Sequence, residues 1–254
     1  MSLKDLLKTL KSDKIIIPKL EQHLMSKNRS GKGDGWIHPS GITNCKRSIV
    51  LGCLGYPFKQ NLPARVLSIF ETGNVMHTKY QTLLKEAGLL LLCEFCGGTG
   101  NIKGKKCEPC RGSGVEVAFE WKKYRTRGTC DGLFDPKKVG DYMLELKSMN
   151  TNSFQNLTGP NHAYMWQCHI YMRRFQRTYP NLDKTLFIFE DKNTQAMKEF
   201  VVKWDDEIWG QIFERIKEIN SYVDAKKFPE GDCVGKDLDK ECQFADSCKQ
   251  CGGN

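Results

Sequence analysis

Arg127-Gly-Thr-Cys-Asp-Gly-Leu-Phe134 and Tyr142-Met-Leu-Glu-Leu-Lys-Ser148 are the two stretches whose reading decides the fold. Both read as strands, and Asp135-Pro136 with Val139-Gly140-Asp141 between them supplies turn residues, which predicts a hairpin. Side chains alternate along a strand, so Glu145 and Lys147 share one face while Leu144 and Leu146 share the other. Asp131 stands on the neighbouring strand. An aspartate and a glutamate brought together in a cleft repel each other unless a divalent cation neutralises them, and such oxygen ligands suit Mg²⁺ or Mn²⁺. A bound metal acidifies water and offsets phosphate charge, and Lys147 could hold the nucleophile or balance developing negative charge. The competing reading is a solvated hairpin face, because E-x-K on a strand is common by chance.

Outward from the hairpin, residues 115–121, 184–189 and 200–204 read as further strands. Residues 160–177 and 205–226 read as helices. A longer helix is expected after Pro63, with Val66, Leu67, Ile69, Phe70, Val75, Leu83 and Leu84 marking its apolar positions. Ser40 is placed to cap a helix running through residues 44–51, and residues 1–30 read as one or two short polar helices. The glycines of residues 30–35 point to a flexible linker. The fold class is therefore α/β, a mixed sheet flanked by helices. Its expected parts are an N-terminal helical segment and linker (1–35), a helical part (36–92), a cysteine-rich insert (93–114), the core (115–227) and a cysteine-rich tail (228–254).

The formal net charge is +9 at pH 7, which favours an anionic partner, nucleic acid being the commonest. If two sets of four thiolates hold metals, the excess falls to about +5. No apolar run reaches the roughly 20 residues of a membrane span, and the start, MSLKDLLKTLKSDK, has no export signal. A membrane partner is not expected, and the location expected is cytoplasmic, in a bacterial or phage-infected cell. Twelve cysteines in tight C-x2-C and C-x5-C spacings indicate metal rather than disulfides in a reducing compartment. Cys53, Cys130 and Cys168 stand alone and read as small core residues.

Two more pairs join the hairpin: Gly73-x-x-x-His77 on one helix, and Gln167-x-x-x-Tyr171 on another, where the i, i+4 spacing places both side chains on one face. Taken in order across residues 73–171, these four motifs resemble the RecB-type branch of the PD-(D/E)xK nucleases. Cys130 stands where that motif has its proline. The resemblance implies a restriction-endonuclease-like core, with His77, Asp131, Glu145 and the main-chain carbonyl of Leu146 as metal ligands. It also implies Lys147 as the catalytic lysine, and Gln167 and Tyr171 as residues that position a DNA strand. Histidine is a softer ligand than carboxylate, so Mn²⁺ is expected to serve better than Mg²⁺. Trp166, Arg173, Arg174 and Arg177 lie on the helix of Gln167, where they could contact phosphates and unpaired bases or simply form a solvated basic face.

The insert repeats C-x2-C-x-G-x-G twice, through Cys93 and Cys96, then Cys107 and Cys110. Each pair presents two sulfurs and the glycines free backbone amides to turn toward them, so four thiolates complete a tetrahedral zinc site. The repeat resembles the zinc module of DnaJ chaperones, reduced to two copies. The second set is Cys45 with Cys233, Cys242, Cys248 and Cys251. One distant cysteine plus a C-terminal cluster resembles CRISPR-associated RecB-type exonucleases and the AddB nuclease domain, in which an iron–sulfur cluster ties the chain ends together. That implies a [4Fe–4S] cluster on Cys45, Cys233, Cys242 and Cys248, with Cys251 as the alternative to Cys233; a second zinc site is the other reading. The expected function is a Mg²⁺- or Mn²⁺-dependent deoxyribonuclease, an exonuclease on DNA ends or single strands in recombination, repair or phage DNA processing. A helicase, annealing or recombination protein is the expected partner. The alternatives are a flap or junction endonuclease, and a non-catalytic DNA- or protein-binding module.

Overall fold

The computed structural model describes residues 15–232 and 242–248. Cys233 and Cys251, and the leading residues 1–14, lie outside that range. In chain order the elements are α1 (Ile17–Met25), β1 (Ser30–Lys32), α2 (Lys46–Cys53), β2 (Pro57–Lys59), α3 (Ala64–Glu86), β3 (Asn101–Ile102) and β4 (Lys105–Lys106). They continue as β5 (Val117–Trp121), β6 (Thr126–Cys130), β7 (Gly132–Leu133), β8 (Tyr142–Met149), α4 (Thr151–Gln155), α5 (His162–Phe175), β9 (Lys184–Asp191), β10 (Met197–Lys203) and α6 (Asp206–Asp224). Single 3₁₀ turns lie at Pro39–Gly41, Lys122–Tyr124 and Ala245–Ser247.

The central sheet runs β10-β9-β8-β7 and is mixed: β8 and β9 are parallel, the other two pairings antiparallel. Helix α5 makes the crossover between β8 and β9, as a parallel pair requires. The register Glu145↔Phe187 and Leu146↔Ile188 sorts the side chains into two layers. Met143, Phe187 and Phe189 pack toward α5 and α6, in a core that includes Ile170, Met172, Ile212 and Ile216. Leu144, Leu146 and Leu186 face the other way, onto Met76 and Tyr80 of α3. Each fully buried large side chain here contributes roughly 1.5–3 kcal/mol. The result is helix, sheet and helix in three layers, the mixed α/β architecture the strand spacing predicted.

Three local expectations need correcting. Residues 30–32 are not a linker: they form β1, paired antiparallel with β2, and Gly33 lies so close to the Gly52 carbonyl that a Cβ would not fit. Ser40 does not cap a helix through residues 44–51. It belongs to its own 3₁₀ turn, and α2 starts only after Cys45, which is extended at φ −49° and ψ 124°. On α3 the apolar stripe is misassigned: Phe70 (54% exposed), Val75 (67%) and Leu83 (51%) face solvent, while Leu67, Met76, Tyr80 and Gln81 are the buried set. Apolar residues are spread around this helix, so periodicity cannot say which side the sheet will cover.

Candidate active site and four-cysteine centre

Asp131 occupies the single residue between β6, which pairs with β5, and β7, which pairs with β8. The strand changes sheets there, so the local ladder leaves its carboxylate to other donors. Oδ2 accepts the Leu146 N–H at 2.7 Å and Oδ1 meets His77 Nδ1 at 3.0 Å. A strand residue directs its N–H and C=O to the same edge, so the Leu146 carbonyl faces the edge that Asp131 occupies. His77 comes from the middle of α3. Gly73, one turn earlier, has room for a Cβ at 3.9 Å from Ser148 Oγ, an ordinary contact; no steric reason requires glycine there.

Glu145 is 3% exposed. Its Oε1 accepts from Lys147 Nζ at 2.7 Å and Gln167 Nε2 at 2.9 Å, whereas Oε2 is buried with no partner among the described residues. Lys147 Nζ also donates to Gln167 Oε1 at 3.3 Å and lies 4.6 Å from the Tyr164 ring centre. Gln167 Nε2 lies 3.3 Å from the Tyr171 hydroxyl, as the i, i+4 spacing predicted. Gly128 makes room for that tyrosine, since a Cβ there would sit 3.0 Å from its ring.

Burial pushes the Glu145 carboxyl up to about 7, the Lys147 cation opposing the shift and the Asp131 charge adding to it. At His77 burial works to lower the pKa, but the hydrogen bond and charge of Asp131 outweigh it and the net shift is upward. At Lys147 burial is likewise outweighed, by Glu145, and the shift is upward.

The structure therefore brings His77 to Asp131 at the edge of β8, and Glu145 to Lys147 and Gln167, with Tyr171 behind Gln167, on the side of β8 that faces α5. It does not close His77, Asp131 and Glu145 into one tight ligand set. Among the described residues only the four insert cysteines have ligand atoms all within 4.8 Å of one another. Trp166 packs on His162, and the Arg173 guanidinium lies about 6 Å from the Trp204 and Trp209 rings. Arg173 and Arg177 border a groove of about 310 Å³ with Trp121, Lys123, Tyr124 and Gln176, none of which belongs to the Glu145 cluster. Sequence reasoning missed Gln81, whose Nε2 donates to the Asp131 carbonyl at 2.9 Å and to Glu116 Oε1 at 3.2 Å. Its position four residues after His77 was the available signal.

The insert is built as two matched halves. Cys93 Sγ lies 3.9 Å from Cys107 Sγ, and Cys96 Sγ 3.7 Å from Cys110 Sγ. Cys93 N donates to Gly114 O and Cys107 N to Gly100 O, a reciprocal pair. Gly100 and Gly114 have positive φ and abut the carbonyls of Gly112 and Gly98 respectively, where a Cβ would collide. At Cys96 burial opposes ionisation, yet the Gly100 N–H at 3.2 Å and the neighbouring thiols bring it down to about 6. Burial pushes Cys107 up to about 12. In the tail, Cys45, Cys242 and Cys248 gather around Leu51 and Phe244, and Arg47 Nε donates to Cys248 Sγ at 3.2 Å.

No protein-family model matches the chain, and no curated protein matches it. Solved structures do resemble it. SSO0001 is 12% identical with a TM-score of 0.44, covering 93% of this chain and 97% of its own. The alkaline exonuclease LHK-Exo from Laribacter hongkongensis is 11% identical with a TM-score of 0.43, over 81% of this chain and 93% of its own. The same exonuclease in complex with dAMP is 11% identical with a TM-score of 0.47, over 82% and 93%. Among the described residues no helix is long and apolar enough to cross a membrane.

Proposed function

We propose that the chain is a divalent-metal-dependent deoxyribonuclease that hydrolyses phosphodiesters, working as an exonuclease on DNA ends or single strands. One observation carries the reading: Glu145 Oε2 is buried and unpartnered beside Asp131, His77 and the Lys147 cation. A buried polar atom left unpaired costs about 1–3 kcal/mol, which a cation ligated there would offset. The donors fit one. His77, Asp131, Glu145 and the Leu146 carbonyl are the residues that would hold it, oxygen-rich with one imidazole, which suits Mg²⁺ and favours Mn²⁺. Such an ion supplies charge neutralisation at the phosphate and an acidified water.

The remaining work falls to the chain's own side chains. Gln167 occupies Glu145 Oε1 and so leaves Oε2 for ligation. The Leu146 N–H fixes the rotation of Asp131. Lys147, whose ammonium rests on Glu145 Oε1, would keep a positive charge beside the reacting phosphate and hold the nucleophile or balance developing negative charge. Gln167 and Tyr171 position the strand. The four insert cysteines take zinc, and Cys45, Cys242 and Cys248 with Cys233 or Cys251 take a [4Fe–4S] cluster. The net positive charge supports DNA as partner, with a helicase, annealing or recombination protein alongside, in a reducing cytoplasm that keeps thiolates available.

End-labelled single- and double-stranded DNA, incubated with Mn²⁺, Mg²⁺ or neither, tests the activity. Wild type should degrade DNA fastest with Mn²⁺, and Glu145→Ala and Lys147→Ala should be slower by roughly 10²-fold or more, as for loss of electrostatic stabilisation at a reacting centre. Intact DNA with both metals, or mutants that cut as fast as wild type, would overturn the reading. Protein purified without oxygen should be brown, and Cys45→Ala colourless; a colourless wild type carrying only zinc would reject the cluster.

A further inference from the structure

Helix α3 presents His77, Gln81 and Lys85 at successive i, i+4 positions, one polar row about 12 Å long at 1.5 Å per residue. Each reaches a different target. His77 meets the Asp131 carboxylate, Gln81 meets the Asp131 carbonyl and Glu116, and Lys85 Nζ donates to Gly98 O in the cysteine insert at 3.4 Å. Glu116 is in turn anchored to the insert: its N–H donates to Ser113 Oγ at 2.8 Å, and Ser113 Oγ donates to the Cys110 carbonyl at 2.8 Å. An unbroken run of hydrogen bonds thus leads from a metal-binding knuckle through Ser113, Glu116 and Gln81 to the main chain of Asp131.

We infer that the four-cysteine insert sets the position of Asp131, with Gln81 and Glu116 as the positioning residues between them. The inference rests on the proposed reading of Asp131 as a metal ligand. Asp131 needs such support because it sits in the gap between two sheets. Gln81 is 5% exposed, and its amide spends its two hydrogens on two acceptors at once, one from each end of the relay. Glu116 is the second residue past the insert, so loosening Cys110 and Ser113 displaces it before anything else in the core. Removal of Gln81 leaves both acceptors without their donor, and partners of metal ligands typically change metal affinity by about 10–100-fold.

The test uses the full chain and Mn²⁺ alone as probe, with binding followed by electron paramagnetic resonance. Cys93→Ser disables the insert site. It should weaken Mn²⁺ binding by about 10-fold, Gln81→Leu should do the same, and the double variant should be hardly weaker than either, since residues acting through one another are not additive. Glu116→Gln keeps an acceptor oxygen and should retain wild-type affinity, whereas Glu116→Ala should lose it; melting temperatures establish that each variant is folded. Wild-type affinity in Gln81→Leu, or losses that simply add, would overturn the relay. If wild type binds no Mn²⁺, the nuclease reading fails, and the relay is then judged by the His77 ring ¹H–¹⁵N signals. These should shift in Cys93→Ser, and no further in the double variant than in Gln81→Leu; signals unmoved by Cys93→Ser would overturn it.

Discussion

In the proposed ligand set, Glu145 and His77 must both be free of a competing proton before they can hold a cation. Burial pushes the Glu145 carboxyl up to about 7, and at His77 the hydrogen bond and charge of Asp131 outweigh burial and push the imidazole upward. The Glu145 carboxyl is protonated below about 7 and ionised above it, so with Glu145 as a proposed ligand divalent-ion affinity should climb as pH rises through 7 and binding should release protons. Calorimetric titration of Mn²⁺ at pH 6 and pH 8, in buffers of different ionisation enthalpy, checks both points; equal affinities at the two values would contradict the assignment. Gln167 is argued at the same scale. Gln167→Ala removes one of the two donors to Glu145 Oε1 and one acceptor of Lys147, and DNA hydrolysis should fall by about 10–100-fold with only a small change in melting temperature. These residues were legible early because E-x-K and Q-x-x-x-Y are short-range patterns whose geometry the strand and helix periods dictate. Gln81 and Glu116 were not, because their role depends on a contact between a helix and the link before β5, 35 residues apart.

At the scale of elements, α3 against β8 decides whether His77 reaches the sheet edge at all. Leu146 is fully buried in that contact, and Phe70 on the same helix faces outward. Leu146→Ala should therefore cost about 2–5 kcal/mol in urea unfolding, and Phe70→Ala should stay within about 0.5 kcal/mol. A large loss from Phe70→Ala would mean that α3 packs with its other side. The strands around Asp131 and Glu145 could be read directly, since alternation fixes the face of each side chain. The side of α3 could not. Val66, Leu67, Ile69 and Phe70 run almost continuously, and the partner that chooses among them is a sheet more than 70 residues downstream. The glycines of residues 30–35 misled for a related reason: β1 exists only because β2 lies beside it.

For the molecule as a whole, the tail is stitched to the beginning. Gln243 O accepts from Lys59 N at 2.8 Å, Ser247 Oγ donates to Pro57 O at 2.8 Å, and Cys242 and Cys248 share a cluster with Cys45. Closing a loop of nearly 200 residues restricts the unfolded chain strongly, so Cys45→Ala should lower the melting temperature by several degrees and expose residues 242–248 to proteases. Unchanged melting and digestion would show that packing alone holds the ends. The insert suggests a different kind of durability. Its hairpin tip, Lys103 and Gly104, falls between two halves that each own two sulfurs and trade reciprocal backbone bonds. Trypsin nicking the chain at Lys103 would thus sever a peptide bond without parting the pieces: two fragments on a denaturing gel, one particle in native sizing.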